Sequence, residues 1–114
     1  MKFLFLIHGD GDAEAALTSE ERMSIVEEHM DYADMLRDLG VYVSGEALEG
    51  AGTAFVVRPG EQPIVTDGPF AETKEAIGGF YVVDVRDRDE AIRLAGQVPQ
   101  SPSLAVEVLR IAEF

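Results

Sequence analysis

The opening strand is apolar on both of its faces. In residues 2–8, Phe3, Phe5 and Ile7 alternate with Leu4 and Leu6, and alternate side chains of a strand stand on opposite sides of a sheet. A sheet that contains this strand has to be covered twice. That requirement limits the chain to architectures in which helices protect one face and something else protects the other.

The rest of the pattern shows where helices are available. Gly9-Asp10-Gly11-Asp12 breaks the first strand. Thr18-Ser19-Glu20-Glu21 has the spacing of a capping box, in which hydroxyl and carboxylate each satisfy a backbone N–H at the helix start. The helix it opens keeps Ile25, His29, Tyr32, Leu36 and Leu39 on one inward stripe, and Gly40 stops it. A strand is expected over 41–47. Residues 53–58 and 64–66 form a hairpin that turns at Pro59-Gly60-Glu61-Gln62-Pro63. A strong strand follows over 79–85. Asp87 and Glu90 repeat the cap-and-glutamate spacing before a helix through Ala91, Ile92, Leu94, Ala95 and Val98, which Pro99 ends; residues 105–111 make the closing strand.

This order is β-α-β, hairpin, β-α-β, with no linker, in one domain spanning 1–114. Two such units with right-handed crossovers give an α+β, ferredoxin-like βαββαβ sandwich with the 53–66 hairpin as an insertion. Both helices then lie on one sheet face. A second copy of the chain is the simplest cover for the other, so a homodimer is expected.

Composition narrows the function. The chain has 22 acidic and 9 basic residues, a formal charge of −13, and a field of that sign repels phosphate backbones and anionic lipid. Neither nucleic acid nor membrane is an expected partner. No segment approaches the length of a membrane span, and the apolar run 3–7 is too short for a signal-peptide core. There is no cysteine, hence no disulfide, thiolate metal site or cysteine nucleophile. The cytoplasm is the expected compartment.

The most rigid loop is Val65-Thr66-Asp67-Gly68-Pro69-Phe70-Ala71-Glu72-Thr73-Lys74-Glu75. Pro69 fixes its own φ and keeps Gly68 out of the helical region, while Gly68 accepts angles closed to other residues. Phe70 is expected to anchor the turn in the core. Asp67 is then either a turn cap, folding onto nearby N–H groups, or a positioned functional carboxylate.

The string Asp67-Gly68-Pro69-Phe70, followed by Glu72-Thr73-Lys74-Glu75 and Gly78-Gly79-Phe80-Tyr81, resembles the signature of the DGPF branch of the YCII-related family. The similarity runs along nearly the whole chain, through Gly45-Glu46-Ala47-Leu48 to Val106-Glu107-Val108-Leu109-Arg110-Ile111. It implies a dimeric α/β barrel, sheet against sheet. It also implies that His29, on the first helix, and Asp67, from a later segment, are the proposed active pair. DGPF-like proteins are often encoded beside extracytoplasmic-function sigma factors, which implies a possible regulatory partner.

Both histidines have alternative readings. His29 on the inward stripe is a core histidine satisfied by hydrogen bonds, or a general acid/base whose tautomer a carboxylate fixes. His8 at the end of the first strand is a strand-end polar residue or a ligand contact in a cleft beside the sheet. Glu46 is a solvated edge residue or a second carboxylate in the same cleft as Asp67, where it would help proton abstraction beside a carbonyl, isomerisation or elimination. Gly68, Pro69 and Phe70 complete the expected ligand contacts. Asp10 and Asp12 lack the later ligands of a calcium loop, and Gly78-Gly79 lacks the Lys and Ser/Thr of a phosphate loop. No cofactor or metal is expected. Three functions fit: a cofactor-free enzyme exchanging a proton between His29, Asp67 and a small, aromatic or oxygenated metabolite; a ligand-binding or accessory module on the same pocket, tied to sigma-factor regulation; and a purely structural dimer.

Overall fold

The computed structural model describes residues 1–69, 75–100 and 103–114. Its elements are β1 (Lys2–Asp10), α1 (Gly11–Ala15), α2 (Ser19–Asp38), β2 (Tyr42–Ala47), a 3-10 turn (Ala51–Thr53), β3 (Phe55–Arg58), β4 (Ile64–Asp67), β5 (Glu75–Asp84), α3 (Arg88–Ala95) and β6 (Ser103–Arg110). β2, β5, β1 and β6 form one antiparallel sheet in that order, and β3 and β4 form a separate two-stranded hairpin. Without the hairpin this is the ferredoxin-like order, with the two crossover strands outermost.

Local chemistry sets the helix ends. Thr18 Oγ1 accepts from the Glu21 N–H at 3.1 Å while Glu21 accepts from the Thr18 N–H at 3.0 Å, closing the capping box. The bond from the Thr18 N–H, with a further contribution from the Thr18 hydroxyl, holds the Glu21 carboxyl below its ordinary pKa. Gly40, at φ 74°, takes the chain out of α2 through a left-handed angle. Asp87 caps α3 through the Glu90 N–H at 2.9 Å. The break expected at 9–12 falls at Asp10: β1 ends there, two residues later than expected, and the Asp10 carboxylate caps α1 through the N–H groups of Asp12 and Ala13 at 3.0 and 3.2 Å.

The core lies between the sheet and the helices. Phe3, Phe5 and Ile7 of β1 and Tyr81 and Val83 of β5 face Tyr32, Ala33 and Leu36 of α2, and Ala91 and Leu94 of α3. Phe5, Leu36, Leu94 and Val83 are enclosed completely. The Tyr32 hydroxyl donates to the Leu94 carbonyl at 2.7 Å, tying the helices together. Leu39, expected on the inward stripe, is instead 54 % exposed, because it is the C-cap where the chain already turns away.

The opposite face is open. Leu4, Leu6, Phe80 and Val82 are half-buried and in register across β1 and β5, and Leu109, opposite Leu4, is 40 % exposed. The hairpin is more exposed still: Phe55, Ile64 and Val65 show 60 % or more of their surface, and its strands pack chiefly on each other. The radius of gyration of 15.6 Å, against about 13 Å for a compact chain of this size, reflects that extension. Among the described residues no helix is long and apolar enough to cross a membrane.

Candidate functional site

The two halves of α2 pack differently, and the difference makes a cavity. Around Tyr32, Ala33 and Leu36 the helix lies tightly on the sheet, whereas Ile25 and His29, on the same stripe, are only half-buried. Beneath this N-terminal half is a cavity of about 540 Å³, within the range of small-molecule sites. Its wall is mostly apolar, with Ile7, Leu17, Ile25, Val26 and Met30 among its residues.

His29 is the imidazole of this wall. Its Nδ1 lies 2.9 Å from the Tyr81 hydroxyl, and that hydroxyl also lies 3.4 Å from the His29 carbonyl oxygen. The two rings are stacked at 15°, with centroids 6.1 Å apart, and Tyr32 meets Tyr81 edge-on at 5.1 Å. Burial pushes the His29 pKa down, against a smaller opposing effect of the Glu28 charge. Burial, with a contribution from Tyr42, pushes Tyr81 up to about 12, with Arg37 opposing. Both groups are thus neutral near neutral pH.

Gly45 admits the Tyr81 ring. A Cβ at this β2 position would stand 2.7 Å from Tyr81 Cδ1 and 3.0 Å from the Phe80 carbonyl oxygen. Gly79 in β5 serves a related purpose, since a Cβ there would meet the Glu46 carbonyl oxygen at 2.9 Å. These two glycines let β2 and β5 approach closely at the cavity floor.

The charges on the wall are largely engaged. Arg22 donates to the Glu14 carbonyl at 2.9 Å. Arg37 pairs with Asp34 at 3.1 Å and lies 4.3 Å above the centre of the Tyr42 ring. With Glu14 also lining the cavity, two cations are matched by two carboxylates. Such a wall offers no net attraction to an anion and suits an uncharged ligand.

Of the residues expected from the sequence, His29 lines the cavity; Glu46 borders it, but it stands opposite Phe80 in the register of β2 and β5, so its carboxylate is on the open-face side. Asp67 does not line it: it ends β4 on the hairpin with its side chain exposed, and the described hydrogen bonds of His29 go to Tyr81. Gly68 takes φ 104°, as its place before Pro69 suggested, and donates to the Ala54 carbonyl at 2.8 Å, but neither Gly68 nor Pro69 lines the cavity. Phe70 lies outside the described residues. His8 is a correction. Strand alternation turns it to the open face, away from α2, where its Nε2 pairs with Glu107 at 3.0 Å. Among the described residues no group of three or more potential ligands could hold a metal. Tyr81, Arg22 and Arg37 were not singled out from the sequence; for Tyr81 the available signal was its place two residues after Gly79, on the inward face of a strand.

Comparison with known proteins agrees with this architecture. A family model described as YCII-related domain matches residues 1–114. The chain belongs to the YCII-related family. A stretch of 34 residues is 56 % identical to an uncharacterised protein of Rhizobium meliloti (strain 1021), covering 30 % of this chain and 27 % of that protein. Among solved structures, 5-chloro-2-hydroxyhydroquinone dehydrochlorinase (TftG) from Burkholderia phenoliruptrix AC1100, in complex with 2,5-dihydroxybenzoquinone, superposes with a TM-score of 0.59. The alignment covers 100 % of this chain and 96 % of TftG at 19 % identity, which is a likeness of fold.

Proposed function

We propose that this chain, as a DGPF-branch member, is a cofactor-free enzyme acting on a small hydroxylated ring compound, with His29 as its acid/base group. The observation that carries the reading is a half-buried imidazole in an apolar cavity, one nitrogen anchored by Tyr81. Burial keeps the imidazole neutral and so able to accept a proton at neutral pH. The structural neighbour's hydroxyquinone ligand supports the choice of substrate class by analogy of fold alone.

Asp67 enters this proposal as a carboxylate carried by the hairpin. In one chain it stands outside the cavity, so its part in the reaction requires a second copy. The homodimer we propose, closing over Leu4, Leu6, Phe80 and Val82, is the assembly in which that arrangement would arise. The cytoplasm is the compartment we propose, on the charge and the absence of cysteine.

Titration of hydroquinone, which is uncharged at neutral pH, into the wild-type protein, His29→Ala and Asp67→Asn, followed by calorimetry, tests the reading. Saturable binding that weakens at least tenfold in His29→Ala is expected. Equal affinity in wild type and His29→Ala would overturn the site. Binding without turnover of any hydroxylated ring would favour the accessory-module alternative. Solution scattering at micromolar concentration checks the dimer, and a monomer would remove Asp67 from the proposal.

A further inference from the structure

The hydrogen bonds around Tyr81 bear on which nitrogen of His29 carries the proton, and this deepens the reading of the same site. The Tyr81 hydroxyl has one proton and two near neighbours on His29: Nδ1 at 2.9 Å and the carbonyl oxygen at 3.4 Å. A carbonyl oxygen can only accept. If the hydroxyl donated to Nδ1, its approach to the carbonyl would bring two oxygens together with no hydrogen between them. Both contacts are hydrogen bonds in one arrangement alone, with Nδ1–H donating to the Tyr81 oxygen and the Tyr81 O–H donating to the carbonyl.

We infer that Tyr81 is a positioning residue that holds neutral His29 in its Nδ1–H tautomer and so presents Nε2 to the cavity as an unprotonated acceptor. No described residue bonds Nε2, and no side-chain nitrogen or oxygen among the described residues is both buried and without a partner. Nε2 is therefore accessible, on a side chain that lines the cavity. Tyr81 is itself held firmly: it is 7 % exposed, packed edge-on against Tyr32 and seated over Gly45.

The consequence is a rule for the ligand. An acceptor at this point of an otherwise apolar wall calls for a hydrogen-bond donor on the ligand, a phenolic or enolic O–H. Transfer of that proton to Nε2 leaves an imidazolium, both of whose nitrogens donate, and an oxyanion on the ligand. A ring that offers only carbonyl or ether oxygens cannot make this contact. The inference rests on the site proposed above, but its first test needs no ligand.

That test is long-range ¹H–¹⁵N NMR of protein labelled at histidine, above the pH at which imidazole titrates. With two histidines in the chain, His8 serves as internal reference. The wild type is expected to show His29 Nδ1 at the protonated and Nε2 at the unprotonated position. Tyr81→Phe is expected to shift the population towards the Nε2–H tautomer. Tyr32→Phe, which removes no bond to His29, is expected to leave it unchanged. A wild-type protein in the Nε2–H form overturns the inference even if Tyr81→Phe does not fold, and so does an unchanged tautomer in a folded Tyr81→Phe. As a second arm, hydroquinone is expected to perturb Nε2 more than its dimethyl ether does, and equal perturbation counts against the donor rule. Failure of both probes to bind, with the tautomer as expected, counts against the proposed function instead.

Discussion

Replacing Gly45 by Ala should damage the site from behind without touching any group inside it. Gly→Ala in a strand ordinarily helps by roughly 0.5–1 kcal/mol, because it lowers the freedom of the unfolded chain. Here the new methyl would stand 2.7 Å from Tyr81 Cδ1, 3.1 Å from Cε1 and 3.0 Å from the Phe80 carbonyl oxygen. Ordinary carbon–carbon contact is about 3.5–4.0 Å, so the ring must retreat by about 1 Å. It has little room, with Tyr32 at 5.1 Å fixed in turn by its 2.7 Å bond to Leu94. A retreat of that size carries the Tyr81 hydroxyl out of reach of His29. Overpacking of about 1–3 kcal/mol and loss of a hydrogen bond worth about 1 kcal/mol outweigh the entropic gain. The net expectation is a destabilisation of about 1–3 kcal/mol, read as a lower urea midpoint with an unchanged slope. Weakened ligand binding should accompany it. A neutral or stabilised Gly45→Ala would refute the packing argument.

Thr18→Ala should cost about 1 kcal/mol in urea melts, since it removes the bond to the Glu21 N–H at 3.1 Å, and Thr18→Asn should restore most of it. Tyr32→Phe leaves the Leu94 carbonyl without its 2.7 Å donor and should cost about 1–3 kcal/mol. The lowered pKa of His29 gives a signed pH effect. The unfolded chain binds the proton more readily, so this contribution is fully present above the ordinary imidazole value of 6.5 and is lost as pH falls through the lower folded value. Urea midpoints across that window should fall with acidification in the wild type and fall less in His29→Gln; a steeper fall in the variant would contradict the assignment.

The ferredoxin-like order was legible because its signals are local. Thr18 with Glu21, Asp87 with Glu90, and Gly40 each mark a helix boundary through bonds within a few residues. The two-sided apolar pattern of Phe3 to Ile7 placed β1 inside the sheet, and the open face beside it follows from the same alternation. The candidate site was only half legible. His29 was readable from its place on the α2 stripe, but its partner depends on which β5 residue stands beneath that turn, a matter of strand register. Tyr81 therefore stayed hidden, while the family resemblance pointed to Asp67, which in one chain stands on the hairpin. His8 was misplaced by proximity in sequence to the loop, since one residue along a strand changes the face. Gly45 reveals its purpose only when the ring it accommodates is in place.

The central claim is that a small hydroxylated ring binds beneath the N-terminal half of α2, against His29. A single NMR titration reads it directly, because the two histidines report from opposite faces of the sheet. With ¹⁵N-histidine protein and increasing hydroquinone, the His29 ring resonances should move progressively and saturate while those of His8 stay still. Movement of His8 alone, or of neither ring while the ligand binds elsewhere, would contradict it.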